Sequence, residues 1–184
     1  MSTLQLSIEN TNKHSRLSVF FRPFLAFPHV IVGGIWGLFI AILNFIQWIR
    51  ILITGSRSEG LWNKQNRWLS YATRVKSYQA YLFDAFPAFG SVAKKEPVTY
   101  SFDFSKDAKR LSAFFRFLIA IPAMFVLFFL SIGAGLILIV VWFALMITGR
   151  YPSGMFAFVA KYRQFSARLS AYLMYMTDQY PKSA

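Results

Sequence analysis

The sequence is written twice, and that duplication constrains the fold more than any other feature. Adding 94 to a residue number in the first half gives its counterpart in the second, without a gap from Arg16 to Pro87. Arg16-Leu17-Ser18 and Phe20-Phe21-Arg22 return as Arg110-Leu111-Ser112 and Phe114-Phe115-Arg116. Ile53-Thr54-Gly55 returns as Ile147-Thr148-Gly149, and Arg74, Tyr78, Tyr81, Asp84 and Pro87 return as Arg168, Tyr172, Tyr175, Asp178 and Pro181. Two copies are too few to stack as a solenoid, so the expectation is one unit duplicated and fused into a pseudo-two-fold molecule. The first repeat is assigned to residues 1–90 and the second to 91–184.

Composition states what each unit is made of. Hydrophobic residues are 56% of the chain and aromatics 19%, with 21 Phe. Charged residues are only 15%, against about 25% in an average soluble domain. Residues 23 to 49 and 117 to 149 carry no charge, and both runs exceed the roughly 20 apolar residues that a helix needs to cross the hydrocarbon core. These features predict a mainly α integral membrane protein. Met1 to Asn10 is polar and strand-like, so no cleavable signal is expected there and insertion would be driven by the internal runs. The absence of Cys excludes a disulfide framework and a thiolate metal site.

The net charge is +13, and the basic residues bracket the apolar runs instead of forming one face. That placement favours anionic phospholipid over nucleic acid as the partner. Arg16 and Arg22 precede the first run and Arg50, Arg57, Lys64 and Arg67 follow it; Lys109, Arg110 and Arg116 precede the second, and Arg150, Lys161 and Arg163 follow it. If positive residues stay inside, each run enters and leaves on the same side, as an apolar helical hairpin. The second run, as straight helix, would measure about 50 Å against a core of about 30 Å, which agrees with a turn within it. Gly33, Gly34 and Gly37, and Ser131, Gly133 and Gly135, stand where such turns would fall. The competing expectation is one long membrane helix on which Gly33 and Gly37 form a close-packing face. Pro28 and Pro122 are expected to begin or kink the first arm.

Each run is preceded by a period-two segment. Leu4, Leu6 and Ile8 alternate with Gln5, Ser7 and Glu9, and Val98, Tyr100 and Phe102 alternate with Thr99, Ser101 and Asp103. Two such strands invite pairing, within one chain or between chains. The linker is placed at Ala88 to Glu96. After each run, Lys64, Arg67, Tyr71, Arg74, Tyr78 and Tyr81 recur at helical spacing, matched by Phe158, Lys161, Phe165, Arg168, Tyr172 and Tyr175. Tyr with Lys or Arg beside an apolar stripe suits the headgroup layer. The expected headgroup-binding set is therefore Arg67, Arg74, Tyr78, Tyr81, Lys161, Arg168, Tyr172 and Tyr175, on an amphipathic interfacial helix. The alternative is a helix that simply packs on the membrane segment.

No catalytic or metal constellation stands out. His14 and His29 have no counterparts in the second copy, and no acidic residue lies at ligand spacing from either. Asp84 and Asp178 could act as acid or base, but an Asp so placed ordinarily caps a turn or pairs with a nearby Arg. No phosphate loop is present. The chain is read as neither an enzyme nor a cofactor protein.

Arg-Leu-Ser-x-Phe-Phe-Arg with Ala-x-Pro, Thr-Gly-Arg-Tyr-Pro at Thr148 to Pro152, Arg168-Leu169-Ser170-Ala171-Tyr172 and Asp178-Gln179-Tyr180-Pro181 resemble the bacterial membrane family catalogued as domain of unknown function 4389, in two tandem copies. The first copy departs at Ser56-Arg57-Ser58, where the Arg-Tyr-Pro of the loop is lost. The resemblance implies a bacterial inner-membrane protein and leaves its activity open. The expected function is a non-enzymatic scaffold or accessory subunit that binds anionic lipid, with partner membrane proteins or further copies of itself. The alternative is a pathway for a lipid or small solute between the duplicated halves. A pathway needs polar groups inside the membrane, and the runs offer little beyond Asn44 and Gln47.

Overall fold

A computed structural model describes residues 4–8, 14–90 and 98–182. Strand β1 (Gln5–Ile8) precedes helices α1 (Arg16–Thr54) and α2 (Glu59–Gln79); strand β2 (Val98–Ser101) precedes α3 (Arg110–Phe114), α4 (Arg116–Thr148) and α5 (Ser153–Leu173). The +94 offset thus relates β1 to β2, α1 to α3 with α4, and α2 to α5.

The apolar runs do not turn back on themselves. Gly33, Gly34 and Gly37 lie inside α1, an unbroken helix of 39 residues, and Ser131, Gly133 and Gly135 lie inside the 33-residue α4. The hairpin expected within each run is replaced by the long helix. The reason is packing. A Cβ at Gly33 would sit 3.5 Å from the Tyr71 ring, one at Gly37 would sit 3.3 Å from Trp68, and one at Gly133 would sit 3.4 Å from Phe158. Gly37 thus leaves room for the Trp68 ring, as small residues do at close helix contacts, whereas a Cβ at Gly33 or Gly133 would make ordinary van der Waals contact with its ring. Pro23, Pro28 and Pro122 are helix-interior residues, so none of them begins a helix.

Chain reversal occurs later, at the Ile-Thr-Gly of each copy. Gly55 (φ 69°) and Gly149 (φ 67°) adopt the left-handed conformation, and their N–H groups bond Ile51 and Leu145 carbonyls at 2.8 and 2.9 Å. This is a helix stop that glycine makes at no steric cost. Helix α2 then returns antiparallel along α1: Gln65 meets Asn44, Trp68 donates to the Gly33 carbonyl at 3.1 Å, and Arg22 donates to the Tyr78 carbonyl at 3.0 Å.

The two repeats close on each other around a pseudo-two-fold axis. Strands β1 and β2 pair antiparallel with Leu6 opposite Tyr100, flanked by Gln5 with Ser101 and Ser7 with Thr99. Leu6 and Tyr100 are the same position in the two copies, so the axis passes through that pair. The alternation was legible: Leu4, Leu6, Val98 and Phe102 are buried, and Ile8 and Tyr100 are half-buried. Glu9 and residues 91–96 of the linker lie outside the described residues.

At the helix ends the copies exchange equivalent bonds. The His14 N–H donates to the Gly149 carbonyl at 3.1 Å and the Ala108 N–H to the Gly55 carbonyl at 3.0 Å. Arg16 donates to the Ile147 carbonyl at 2.9 Å, and Trp48 to the Ala113 carbonyl at 3.3 Å. The start of α1 therefore meets the end of α4 and the reverse, which makes the two long helices antiparallel. Their inner stripes, including Ile40, Leu43, Val141 and Leu145, join Trp62, Leu69, Val159 and Met176 in one core. Their outer faces are bare. The most apolar 18-residue windows of α1 and α4 are only 17% and 11% buried, with mean hydropathy 2.1 and 2.9, and both helices are long and apolar enough to cross a membrane.

Candidate functional site

Each copy ends its second helix in the same way, and the geometry explains the recurrence of Tyr-x-x-Tyr-x-x-Asp. Past α2, Tyr81 takes φ 60°, its N–H bonding the Tyr78 carbonyl at 2.9 Å while the Leu82 N–H reaches back to Ser77 at 3.2 Å. Tyr175 also has φ 60°, with matching bonds to Tyr172 and from Met176 to Ala171, both at 3.1 Å. Glycine is the usual residue at this position, and a side chain there costs about 1–2 kcal/mol. The ring supplies the compensation. The Arg22 guanidinium lies 4.3 Å from the Tyr78 centroid and 4.9 Å from that of Tyr81; Arg116 lies 4.6 Å from Tyr172 and 4.9 Å from Tyr175. Such cation–π contacts contribute about 0.5–2 kcal/mol.

The remaining donors of these arginines are directed at the same turn. Arg22 donates to the Tyr78 and Phe83 carbonyls at 3.0 Å each and to Asp84 at 2.6 Å. Arg116 donates to the Tyr172 and Thr177 carbonyls at 2.8 and 3.0 Å and to Asp178. The second carboxylate oxygen accepts the N–H of the residue that caps the start of the first helix of the same repeat, Ser15 for Asp84 at 3.1 Å and Lys109 for Asp178 at 3.0 Å. Arg22 and Arg116 are each 1% exposed. A buried charge is tolerated only when paired and hydrogen-bonded, and here one guanidinium binds a whole helix terminus. Asp84 and Asp178 thus fill the capping and pairing role that their position suggested.

The two clamps differ in one contact from the opposite repeat. The fully buried Arg57 places Nη2 2.7 Å from Asp178 and donates Nε to the Tyr175 carbonyl at 2.7 Å. Its counterpart is Tyr151, whose hydroxyl donates to the Ala80 carbonyl at 3.4 Å and whose ring lies 6.3 Å from that of His14. His14 Nδ1 stands 3.8 Å from Asp84. The loop substitution that departs from the second copy thus exchanges a neutral ring for a second guanidinium.

The expected headgroup set divides. Arg67 and Lys161 are exposed and Arg168 is half-buried, together with exposed Lys64. Tyr78 and Tyr172 are buried under the arginines, with Tyr81 and Tyr175 half-buried beside them. Arg74 is 1% exposed and donates to the Gly90 carbonyl. Exposed charge in this set is thus concentrated on Arg67 and Lys161, and the tyrosines serve the clamps. The residues that sequence reasoning did not single out are Arg22, Arg116, Arg57 and His14. For the first two a signal existed, because an Arg at the edge of an uncharged run and an Asp far beyond it survive duplication together.

Two features belong to the first copy alone. Gln65 donates to Asn44 and to the Met174 carbonyl, and Gln47 accepts the Ser58 N–H at 3.2 Å; the counterparts of Asn44, Gln47 and Gln65 are Leu138, Val141 and Val159. His29 shares a hydrogen bond with the Tyr71 hydroxyl at 2.8 Å and stacks on Phe89 at 4.0 Å. Among the described residues no three His, Asp or Glu side chains converge as a metal site would require.

Compared with known proteins, the chain matches one family model, Domain of unknown function (DUF4389), at residues 16–91 and again at 110–184. No curated protein and no solved structure matches it.

Proposed function

The chain belongs to the DUF4389 family through both of its halves, and we propose that it is a non-enzymatic scaffold or accessory subunit held in the bacterial inner membrane by the outer faces of α1 and α4. The single observation that carries this reading is how little of those faces the protein covers. Phe24, Leu38, Phe117 and Ile147 are each at least 70% exposed, and the apolar 18-residue windows of α1 and α4 are 17% and 11% buried. The core helix of a soluble protein would be mostly covered. Lipid and the apolar surfaces of partner membrane proteins, or of a second copy, are the natural covering.

We favour an arrangement with α1 and α4 lying in one leaflet and α2 and α5 at headgroup level. Helix α2 accompanies α1 with Lys64, Arg67 and Lys76 exposed. If α1 stood upright, these charges would enter hydrocarbon at about 2.5–3.5 kcal/mol each near mid-depth. Laid flat, the apolar helices are immersed and the basic ones face acidic headgroups at about 1 kcal/mol per charge. The pseudo-two-fold axis then runs along the membrane normal, and the basic flanks of both repeats share one side, as the positive-inside tendency requires. A solute pathway is the weaker reading, because Asn44 and Gln47 are engaged by Gln65 and Ser58 within the core.

The test combines extraction with labelling. Carbonate and high salt should leave the protein with the membrane. Single Cys at Ser18, Ser58, Ser112 and Ser153, in a chain without native Cys, should all react from the cytoplasmic side. Recovery in the soluble fraction defeats the membrane reading; labelling of Ser18 and Ser58 from opposite sides replaces the flat arrangement with an upright one.

A further inference from the structure

Where α2 and α5 cross at the pseudo-two-fold axis they leave a small cavity of about 20 Å³ lined by Trp68, Leu69, Thr73, Lys76, Arg163, Ser166 and Ser170, among others. It abuts α1, because Trp68 donates to the Gly33 carbonyl. Symmetry makes its charge pattern unexpected. Lys76 is the counterpart of Ser170, and Arg163 is the counterpart of Leu69. At each of these two pairs of equivalent positions one copy has a neutral residue and the other a cation, so each copy contributes one cation to the same groove. Among the described residues no carboxylate pairs with either cation. Burial lowers the affinity of Lys76 for its proton, and the charge of Arg163 lowers it further. The Nε of Arg163 is buried without a hydrogen-bond partner, although its guanidinium lies 5.1 Å from the Tyr162 ring. Two like charges and an unused buried donor amount to a net cost unless an anion completes the site.

We propose that this groove binds a phosphate oxyanion, held by Lys76 and Arg163 with the hydroxyls of Thr73 and Ser166 at its edge. Ser170 offers the anion no donor, since its proton is given to the Ser166 carbonyl at 2.8 Å. The cavity admits about one water-sized atom, which suits one oxygen of a phosphate whose remainder stays outside. Lys76 is an exposed residue at the rim of the groove and can fold over that remainder. Under the membrane reading given above, on which the lipid form of this proposal rests, the phosphate belongs to an anionic phospholipid seated beside α1.

The experiment uses the full chain in detergent and in nanodiscs. Thermal melting is recorded with and without inorganic phosphate, and retention of phosphatidylglycerol against phosphatidylcholine is recorded by native mass spectrometry. Lys76→Gln with Arg163→Gln is compared with the charge-preserving Arg163→Lys, and with Lys106→Gln/Arg150→Gln, two exposed cations outside the headgroup set, as a control of equal charge loss. Inorganic phosphate should stabilise the native chain and Arg163→Lys but not the double variant. Affinity should fall roughly tenfold or more per lost charged donor. Phosphatidylglycerol preference lost in the double variant and kept in the control, with no response to free phosphate, assigns the site to a headgroup. Response to free phosphate without lipid preference assigns it to a soluble ion, and this outcome survives failure of the membrane reading. If the double variant melts higher than the native chain under every condition and binds phosphate and lipid equally well, the cations are a mere packing cost and the proposal falls.

Discussion

Arg57 of the first repeat sets its guanidinium 2.7 Å from the carboxylate of Asp178 in the second, and the same carboxylate already holds Arg116. Asp178 therefore balances two buried guanidiniums, whereas Asp84 balances Arg22 with His14 nearby. Asp178→Asn should accordingly cost more stability than Asp84→Asn, within the range of about 3–5 kcal/mol for breaking a buried pair from one side. Denaturant titration of both variants in one detergent decides the order, and equal losses would show that Arg57 contributes nothing to the clamp.

Removing the cation itself tests the contact between repeats. Arg57→Gln withdraws donors from the Tyr175, Ser105 and Asp107 carbonyls as well as from Asp178. A loss of about 2–4 kcal/mol is expected from these charge-assisted bonds. The second-copy residue offers a sharper variant, because Arg57→Tyr recreates the loop residue of Tyr151. It should recover less than half of the loss, since Asp178 lacks the His14 that accompanies Tyr151 at Asp84. Full recovery would make the position one of volume and not of charge.

Tyr81 and Tyr175 carry backbone strain and a favourable ring contact at the same position. Tyr81→Phe keeps both and should melt close to the native chain. Tyr81→Gly relieves the strain but loses the ring, for a small net change. Tyr81→Ala keeps the strain without the ring and should lose about 1–2 kcal/mol. An alanine variant as stable as the phenylalanine one would remove the ring from the account.

Burial holds the His14 imidazole below its ordinary value of 6.5, and Arg22 acts in the same direction while Asp84 opposes them. Asp84 does not prevail, because Arg22 sits on that carboxylate at 2.6 Å; the other group facing the ring is Tyr151. The folded chain thus keeps His14 neutral where the unfolded chain takes a proton. This stability is fully present above 6.5 and is lost as pH falls below that value. Melting temperature should decline on acidification from about pH 7.5 to 5.5, and His14→Ala, which copies Ala108 of the second repeat, should flatten the decline. An unchanged slope would place the titration elsewhere.

The basic stripe now separates into two kinds of residue. Arg67→Gln with Lys161→Gln should weaken binding to acidic vesicles, by about 1 kcal/mol per charge at low salt, and leave the melt unchanged. Arg74→Gln should lower the melt, because Arg74 is buried on the Gly90 carbonyl. Equal effects on both readouts would return the tyrosines and arginines to a single surface.

Duplication and the period-two strands were open to reading because each is local, or is repeated at a fixed offset, whereas the helix stop at Ile-Thr-Gly was seen only as a repeated segment while the turn was expected at the mid-run glycines. The mid-run glycines misled, since a residue that admits a ring from a neighbouring helix has the same composition as one that turns the chain. Only the position of Trp68 separates the two. The clamps were half visible: helical spacing put Tyr78 and Tyr81 near one face, but nothing local joins them to Arg22, 56 residues before Tyr78. Arg57 was out of reach, because its partner lies in the other copy, where no repeat-by-repeat comparison looks.

A strand register in which Leu6 faces Tyr100, its own equivalent, is the register that two separate copies of a single unit would use to dimerise, since isologous contacts place a residue opposite itself. The bonds at the helix ends obey the same exchange. Covalent connection of the halves is therefore not demanded by these contacts. It supplies proximity equivalent to millimolar concentration, so halves 1–90 and 91–184 expressed as separate chains should reassemble with every cross-repeat bond available, at a stability that now depends on how much of each is present.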